Sequence, residues 1–436
     1  MDNHGIARVA RTTRTEEQRQ QDLEKIRKYR DLEAAIREKT SSQTYDDPAL
    51  FSLTSKLLRL NPEYYTIWNV RRCCLTSCLL SRPPPGSWPS RASPSTSPHA
   101  ATNPSSDVSS ASSSAAIPPV LTSPTTGENG TTASSNINNS NTNNNNNNNH
   151  STIESDTECL ESELTFTIPL LLEYPKCYWI WKYRKWILEQ AILRLPLPVA
   201  SNIWETELAL ASKMLIKDRR NFHAWGYRRF LVARLESAEL LGRSLVEDEF
   251  AYTTKMIKED LSNFSAWHNR SRLMLRVLNE RHADDEARAA FLDTELGMVQ
   301  EALNVGPEDQ SLWYYHRYLM SQIVASEGGK ATITPNLTHE QKISYLEQEI
   351  EFIKDLLEDF ETIKWPYEAL LEYTLTLLKL RRPGSLGDGD DGQEEDSHPK
   401  YWLAKLRKLD AMQTGRWDDV EREIERQLVA AHSNEQ

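Results

Sequence analysis

The sequence has no uninterrupted apolar run long enough to cross a bilayer, for which about 18 residues are needed. Its first residues, MDNHGIARVARTTRT, do not show the basic and then apolar pattern of a secretory signal peptide. Cysteine is scarce and odd in number, and no cysteine shows the paired spacing with histidine that a zinc site needs. The five cysteines are Cys73, Cys74, Cys78, Cys159 and Cys177. These absences argue against a disulfide framework and against a metal site in this chain, and we expect a cytoplasmic protein.

Positive charge is also in deficit, because 51 Lys and Arg residues face 63 Asp and Glu residues and leave a net charge of -12. Nucleic acids and anionic membrane surfaces reward clustered positive charge, so neither is the expected main partner. A local basic pocket stays compatible with this balance.

Five segments share a tryptophan that is followed three residues later by arginine or histidine. DRRNFHAWGYRRF at 218–230 is the clearest, and in four of the five an aromatic residue comes three positions before the tryptophan. The anchors are Trp68, Trp181, Trp225, Trp267 and Trp313. From the second anchor onward their spacings are 44, 42 and 46 residues. So regular a period is typical of stacked supersecondary units rather than of one mixed α/β domain.

Each repeat predicts two antiparallel helices. In the third copy, residues 203–216 carry apolar residues at intervals of three and four, and a polar turn leads to a second helix with Phe222, Trp225 and Val232 on one stripe. Neither helix buries its stripe alone, so the hairpins must stack. The predicted fold is all-α, a curved solenoid of helical hairpins. We expect the aromatic residue before each tryptophan to pack in the core, and the arginine after it to bond the neighbouring hairpin.

Composition sets the expected domain boundaries. Thr15 and Gln18 form a capping-box pattern that starts the first helix, after an arm without periodicity that we expect to be mobile. A long Ser-, Thr-, Pro- and Asn-rich segment predicts a disordered insert, since few apolar residues offset the entropy of ordering it. The segments are the arm 1–14, the N-terminal helices and first repeat 15–81, the insert 82–157, repeats two to five 158–330, and C-terminal helical repeats 331–436 with an acidic loop at 384–396.

Equivalent positions of the repeats differ at the starts of the second helices. Five residues before the tryptophan stand Glu63, Lys176, Arg220, Ser262 and Glu308. Two residues before it stand Thr66, Trp179, His223, Ser265 and Ser311. The second and third copies are therefore the basic ones, and Lys176, His223 and Arg220 are suited to bind a phosphate-like anion with the help of the helix N-termini. Basic residues at loop edges are often simply solvated, and the residues alone leave both interpretations open.

The repeat pattern is similar to that of protein prenyltransferase α subunits, and the likeness covers nearly everything outside the insert. The start HGIARVARTTRTEEQRQQDLEKIRKYRDL together with NPEYYTIWNVRR resembles the Rab (type II) geranylgeranyltransferase branch of that family. The resemblance implies a crescent-shaped, right-handed superhelical solenoid that wraps around a β subunit. That β subunit, and not this chain, would hold zinc and the isoprenoid.

By the same resemblance, the heterodimer would transfer geranylgeranyl from geranylgeranyl diphosphate to C-terminal cysteines of a Rab GTPase presented by a Rab escort protein. The positions that reach the diphosphate in the family are Lys176, Tyr178 and His223 in this sequence. The second repeat departs from the pattern at Cys177, where the family often has Asn.

His4 lies in a His-Gly pair like the one near the family's N-terminus. There the imidazole approaches the partner's zinc, so His4 is a candidate autoinhibitory residue. Two alternative functions stay open: the α subunit of farnesyltransferase or type I geranylgeranyltransferase, and a non-catalytic helical-repeat scaffold that binds peptides.

Overall fold

The computed structural model describes residues 15–82, 142–325, 332–381 and 399–433, without the side chains of 142–149 and 427–433. His4 and the rest of the predicted arm, most of the predicted insert and the acidic loop at 384–396 lie outside the described residues.

Within these ranges the chain is all-α, and no strand occurs among the residues described. The helices are α1 Glu16–Thr40, α2 Pro48–Leu60, α3 Tyr65–Cys74, α4 Thr142–Glu173, α5 Tyr178–Arg194, α6 Leu197–Lys217, α7 Phe222–Leu235, α8 Val246–Glu259, α9 Phe264–Glu280, α10 Asp285–Val305, α11 Gln310–Val324, α12 His339–Asp359, α13 Lys364–Leu380, α14 Pro399–Leu409 and α15 Thr414–Ser433. Starting from α2, each helix pairs with the next one along the chain (α2 with α3, α4 with α5, and so on to α12 with α13). These pairs are the helical hairpins of a repeat solenoid, as the spacing of the tryptophans predicts.

Local sequence signals fix several helix starts. Thr15 caps α1, and both bonds of the predicted capping box with Gln18 are present. Asp47 caps α2 by accepting a hydrogen bond from Ala49, and proline follows as the first helical residue. The helix starts at Pro48 because Asp47 holds the cap.

The chain divides into two compact units, Met1–Ile203 and Trp204–Gln436. In the first unit, the Trp68 ring of α3 packs 4.7 Å from the ring of Tyr183 on α5, measured between centroids. The Arg71 side chain lies between the rings of Phe51 and Phe166 and bonds Glu163 on α4. These contacts join the first repeat to the second.

In the second unit the same kind of contact recurs from one hairpin to the next. Arg228 of α7 pairs with Glu249 of α8 at 2.5 Å, and Arg270 of α9 pairs with Glu295 of α10 at 2.5 Å. In the fifth repeat the residue three after the tryptophan is a histidine instead of an arginine, and this His316 pairs with Glu349 of α12 at 2.8 Å. The arginine or histidine after each of these tryptophans therefore bonds the neighbouring hairpin, as the pattern predicts.

The five anchor tryptophans are all buried, with exposed fractions between 1% and 4%. Each indole N–H donates to the carbonyl oxygen six residues earlier, and so closes the turn before its own helix. The hydroxyl of Tyr367 makes the same bond to Glu361, at 3.0 Å, and Tyr367 is the fourth residue of α13 as each tryptophan is the fourth of its helix. A sixth repeat of this type is therefore present, with tyrosine in place of tryptophan.

The prediction that the aromatic residue three before the tryptophan packs in the core is wrong. Tyr65 is 53% exposed, Tyr178 52%, Phe222 75% and Phe264 47%. Each is the first residue of its second helix, where the chain has just left the turn and the side chain points outward before the helix meets its neighbour.

The insert also ends earlier than predicted, because residues 142–157 already belong to α4. Asp156 is 2% exposed and accepts hydrogen bonds from the backbone N–H and the hydroxyl of Ser81. The Arg194 guanidinium donates to the Ser81 carbonyl at 2.9 Å. Asp156 thus belongs to a buried polar network, although composition alone assigns its stretch to disorder.

Candidate functional site at the starts of the second helices

Lys176 lies in the short turn between α4 and α5, and its side chain is exposed. The next residue, Cys177, is 2% exposed, and its thiol donates to the Pro62 carbonyl at 3.5 Å. Trp68 donates to the same carbonyl oxygen. The departure at Cys177 thus places a buried anchor beside Lys176, and this anchor holds the lysine's turn against the corresponding turn of the first repeat.

Tyr178 starts α5 two residues after Lys176, within a group of aromatic and basic side chains. Its ring lies 5.3 Å from that of Trp179, which lies 5.3 Å from the ring of Tyr65. The Lys182 ammonium lies 5.7 Å from both the Tyr178 and the Trp179 centroids. At this distance a cation is attracted by the ring faces, so a second lysine belongs to the group around Tyr178.

His223 is the second residue of α7 and is half-buried. Its backbone N–H and that of Ala224 donate to the Asn221 side chain, which is 1% exposed and caps the helix. The cap fixes the first turn of α7 and with it the starting point of the His223 side chain.

Arg220 is the third basic residue found by comparing equivalent positions of the repeats, and its guanidinium lies 3.6 Å from the carboxylate of Asp260. This ion pair gives Arg220 a structural partner. Lys176 and Tyr178 are brought together by one turn, and His223 occupies the equivalent helix start in the second unit.

No group of three or more His, Cys, Asp or Glu side chains is placed to hold a metal ion in the part of the chain that the structure describes. The same part contains no helix that is both long and apolar enough to span a membrane.

A family model described as "Protein prenyltransferase alpha subunit repeat" matches five segments of the chain. The matches cover residues 48–78, 160–191, 204–235, 246–277 and 292–323, and each holds one of the five anchors. Curated relatives extend the likeness beyond the repeats. A Saccharomyces cerevisiae protein is 29% identical over 73% of this chain and 72% of its own length, and a Dictyostelium discoideum protein is 29% identical over 87% and 90%. The chain belongs to the protein prenyltransferase α-subunit family.

Both relatives carry the name "Geranylgeranyl transferase type-2 subunit alpha". A Rattus norvegicus protein of the same name is 30% identical over 39% of this chain, and the match covers 28% of the rat protein. The likeness therefore spans most of the yeast and Dictyostelium relatives but about a quarter of the mammalian one.

In this prenyltransferase α-subunit chain the repeat pattern reveals the buried residues better than the exposed ones. Sequence reasoning missed Lys182, one residue after the second anchor, and it missed Arg229, His268 and Arg272 on α7 and α9. All four lie on the outward stripe of a second helix that begins with the exposed aromatic residue. The signal was the spacing of four, seven and eight residues from that aromatic residue, once its exposure is known.

Proposed function

We propose that this chain is the α subunit of a type II (Rab) protein geranylgeranyltransferase. In this proposal it acts as a heterodimer with a β subunit that holds zinc and the isoprenoid, and a Rab escort protein presents the Rab substrate. The observation that carries the proposal is the combination of five family repeats with relatives of one name that match over 72% and 90% of their own length. The lysine and the histidine at the helix starts support it.

The role of this chain follows from where charge develops in the reaction. The partner's zinc would supply the acceptor cysteine as a thiolate. As the sulfur bonds to the isoprenoid carbon, the bond from that carbon to the diphosphate oxygen breaks, and negative charge accumulates on the leaving diphosphate. Lys176, Tyr178 and His223 would donate hydrogen bonds to it, each worth about 1.5–3 kcal/mol for a charged acceptor.

The type II assignment is tested by pairing the chain with different β subunits. The chain is co-expressed with the β subunit of a type II enzyme or with that of farnesyltransferase. Co-elution in equal amounts, zinc content and transfer of labelled geranylgeranyl to an escorted Rab protein are measured. We expect a zinc-bearing complex and geranylgeranyl transfer only when the β subunit comes from a type II enzyme.

Two outcomes would contradict the assignment. Assembly and transfer only with the farnesyltransferase β subunit would place the chain in the other branch of the family. A chain that binds neither subunit, carries no zinc and supports no transfer would be a scaffold.

A further inference from the structure

A group of basic side chains on the second unit has no acidic partner among the residues that the structure describes. Arg229 of α7 is half-buried, and His268 and Arg272 of α9 are exposed. His268 and Arg272 are four residues apart on α9 and therefore share one face of that helix, and the His268 ring stacks on the ring of Phe264 with 6.0 Å between centroids. Burial and the neighbouring Arg272 lower the pKa of Arg229, and burial with both arginines lowers the pKa of His268. Neither guanidinium makes a hydrogen bond or ion pair to any residue that the structure describes.

This arrangement differs from that of other arginines in the same unit. Arg228, Arg270 and Arg276 each bond a glutamate of the chain at 2.5–2.7 Å. Two guanidinium groups that repel each other cost free energy unless an anion is shared between them. The chain as a whole carries a net charge of -12, so a basic group of this kind is a local exception.

An aromatic cavity adjoins the basic group. It has a volume of about 170 Å³ and lies between α9 and α11, lined by Phe264, His268, Tyr314 and Tyr318 among others. Phe264 is 47% exposed and Tyr314 is 43% exposed, and their ring centroids lie 6.1 Å apart. An apolar cavity of about 150 Å³ accepts a benzene-sized group, so this one has room for one apolar side chain.

His268 belongs both to the basic group and to the cavity wall. A ligand that occupied both would therefore carry a carboxylate next to an apolar side chain. Exposed aromatic rings beside arginine are the residue types enriched at the centres of protein interfaces.

We propose that this surface, Arg229, His268 and Arg272 with the cavity between α9 and α11, binds an acidic segment of the partner subunit. A carboxylate of that segment pairs with the two guanidinium groups, and a neighbouring apolar side chain fills the cavity. This inference rests on the proposed function, because that function supplies the β subunit as the partner. Charge complementarity selects its occupant, because an acidic segment is repelled by the acidic remainder of the chain and attracted here.

The test compares two charge reversals at exposed arginines in full-length chains. Arg272→Glu reverses a charge in the proposed surface, and Arg243→Glu is the matched control, because Arg243 is 82% exposed and lies 3.4 Å from Asp248 outside this surface. Affinity for the purified type II β subunit is measured by titration at 50 and 300 mM salt. Arg272→Glu is expected to weaken binding at least tenfold at low salt and to flatten the salt dependence. Arg243→Glu should stay within twofold of wild type.

A second variant, Phe264→Ser, tests the cavity, with circular dichroism and melting temperature as checks that both variants fold. Weaker binding of Phe264→Ser at an unchanged salt dependence supports an apolar contact beside the charged one. Wild-type affinity in both Arg272→Glu and Phe264→Ser, or equal loss in Arg243→Glu, would overturn the proposed surface while leaving the heterodimer standing. Failure of the wild-type chain to bind the subunit would instead refute the proposed function.

Discussion

Arg71 and Glu163 lie 92 residues apart in the sequence, yet two hydrogen bonds of 2.6 Å join the guanidinium to both carboxylate oxygens. Their side chains are 2% and 4% exposed. The Tyr183 hydroxyl donates to the same carboxylate at 2.6 Å. One buried glutamate therefore receives the arginine of the first repeat and the tyrosine of the second, and so connects the helices on either side of the insert.

Removing this arginine should strongly destabilise the first unit. We expect Arg71→Ala to lower the free energy of unfolding by about 3–5 kcal/mol, because it leaves the Glu163 charge buried without its partner. Urea denaturation measures the change. Arg19→Ala is the control, since its ion pair with Glu16 is exposed and such pairs contribute about 0–1 kcal/mol. Equal stability of the two variants would contradict the role of Arg71.

Two aromatic residues of α7 provide a matched pair for the core. Trp225 is 1% exposed and Phe222 is 75% exposed, although they are three residues apart. Trp225→Ala is expected to cost roughly 3–5 kcal/mol of stability. Phe222→Ala should change stability by about 0.5 kcal/mol or less, as surface substitutions do. A melting temperature of Trp225→Ala equal to that of wild type would disprove its part in the core.

Lys176→Ala should lower the rate of prenyl transfer by the assembled enzyme without changing its helix content. Loss of one charged hydrogen bond to the departing diphosphate, about 1.5–3 kcal/mol, corresponds to a rate roughly 10- to 150-fold lower. Single-turnover transfer is the measurement. Lys255→Ala, an exposed lysine of α8, is the control. An unchanged rate in Lys176→Ala would remove this lysine from the site.

Two thiols, that of buried Cys74 and that of half-buried Cys159, should make the fold less stable at alkaline pH. Burial raises the pKa of Cys74 to about 11 and that of Cys159 to about 12, whereas an unfolded thiol has a pKa near 8.5. Above about pH 8.5 the unfolded chain loses these protons first. The stabilising contribution is therefore complete below that pH and decreases as the pH rises towards the folded values.

Urea denaturation at pH 8 and pH 10.5 tests this pH dependence. Cys159→Ala should lose less stability between the two values than wild type does. The same loss in both proteins would show that Cys159 does not contribute.

Shortening the insert should leave the fold and the transfer rate nearly intact. Loop closure depends only on the logarithm of loop length, and Ser81, Asp156 and Arg194 hold the two ends together independently of what lies between. A chain in which a short Gly/Ser linker replaces residues 86–140 is compared with wild type by melting temperature, partner binding and activity. Asp156→Ala in the same background should cost about 1–3 kcal/mol, because it leaves buried donors unpaired. Loss of partner binding on shortening would give the insert a function.

Part of the candidate site was predictable from sequence and part was not. Lys176 and His223 stood out because structurally equivalent positions of a repeat can be compared without a structure. The outward stripes that carry Lys182 on α5 and Arg272 on α9 did not stand out, because aromatic residues at repeat positions are normally core residues, and only their exposure in the structure reverses that expectation.

The sequence by itself determined the helices, their caps, the repeat period and the buried tryptophans, because these depend on hydrophobic periodicity and on bonds within about six residues of the chain. Only the tertiary structure decided that Glu163 receives Arg71 across the insert, that Tyr367 replaces tryptophan in a sixth repeat, and that His268 of α9 lines an aromatic cavity with residues of α11. Such contacts depend on which hairpin faces of a unit pack together. The residues that form these contacts are not regularly spaced along the chain, so a single sequence does not reveal them.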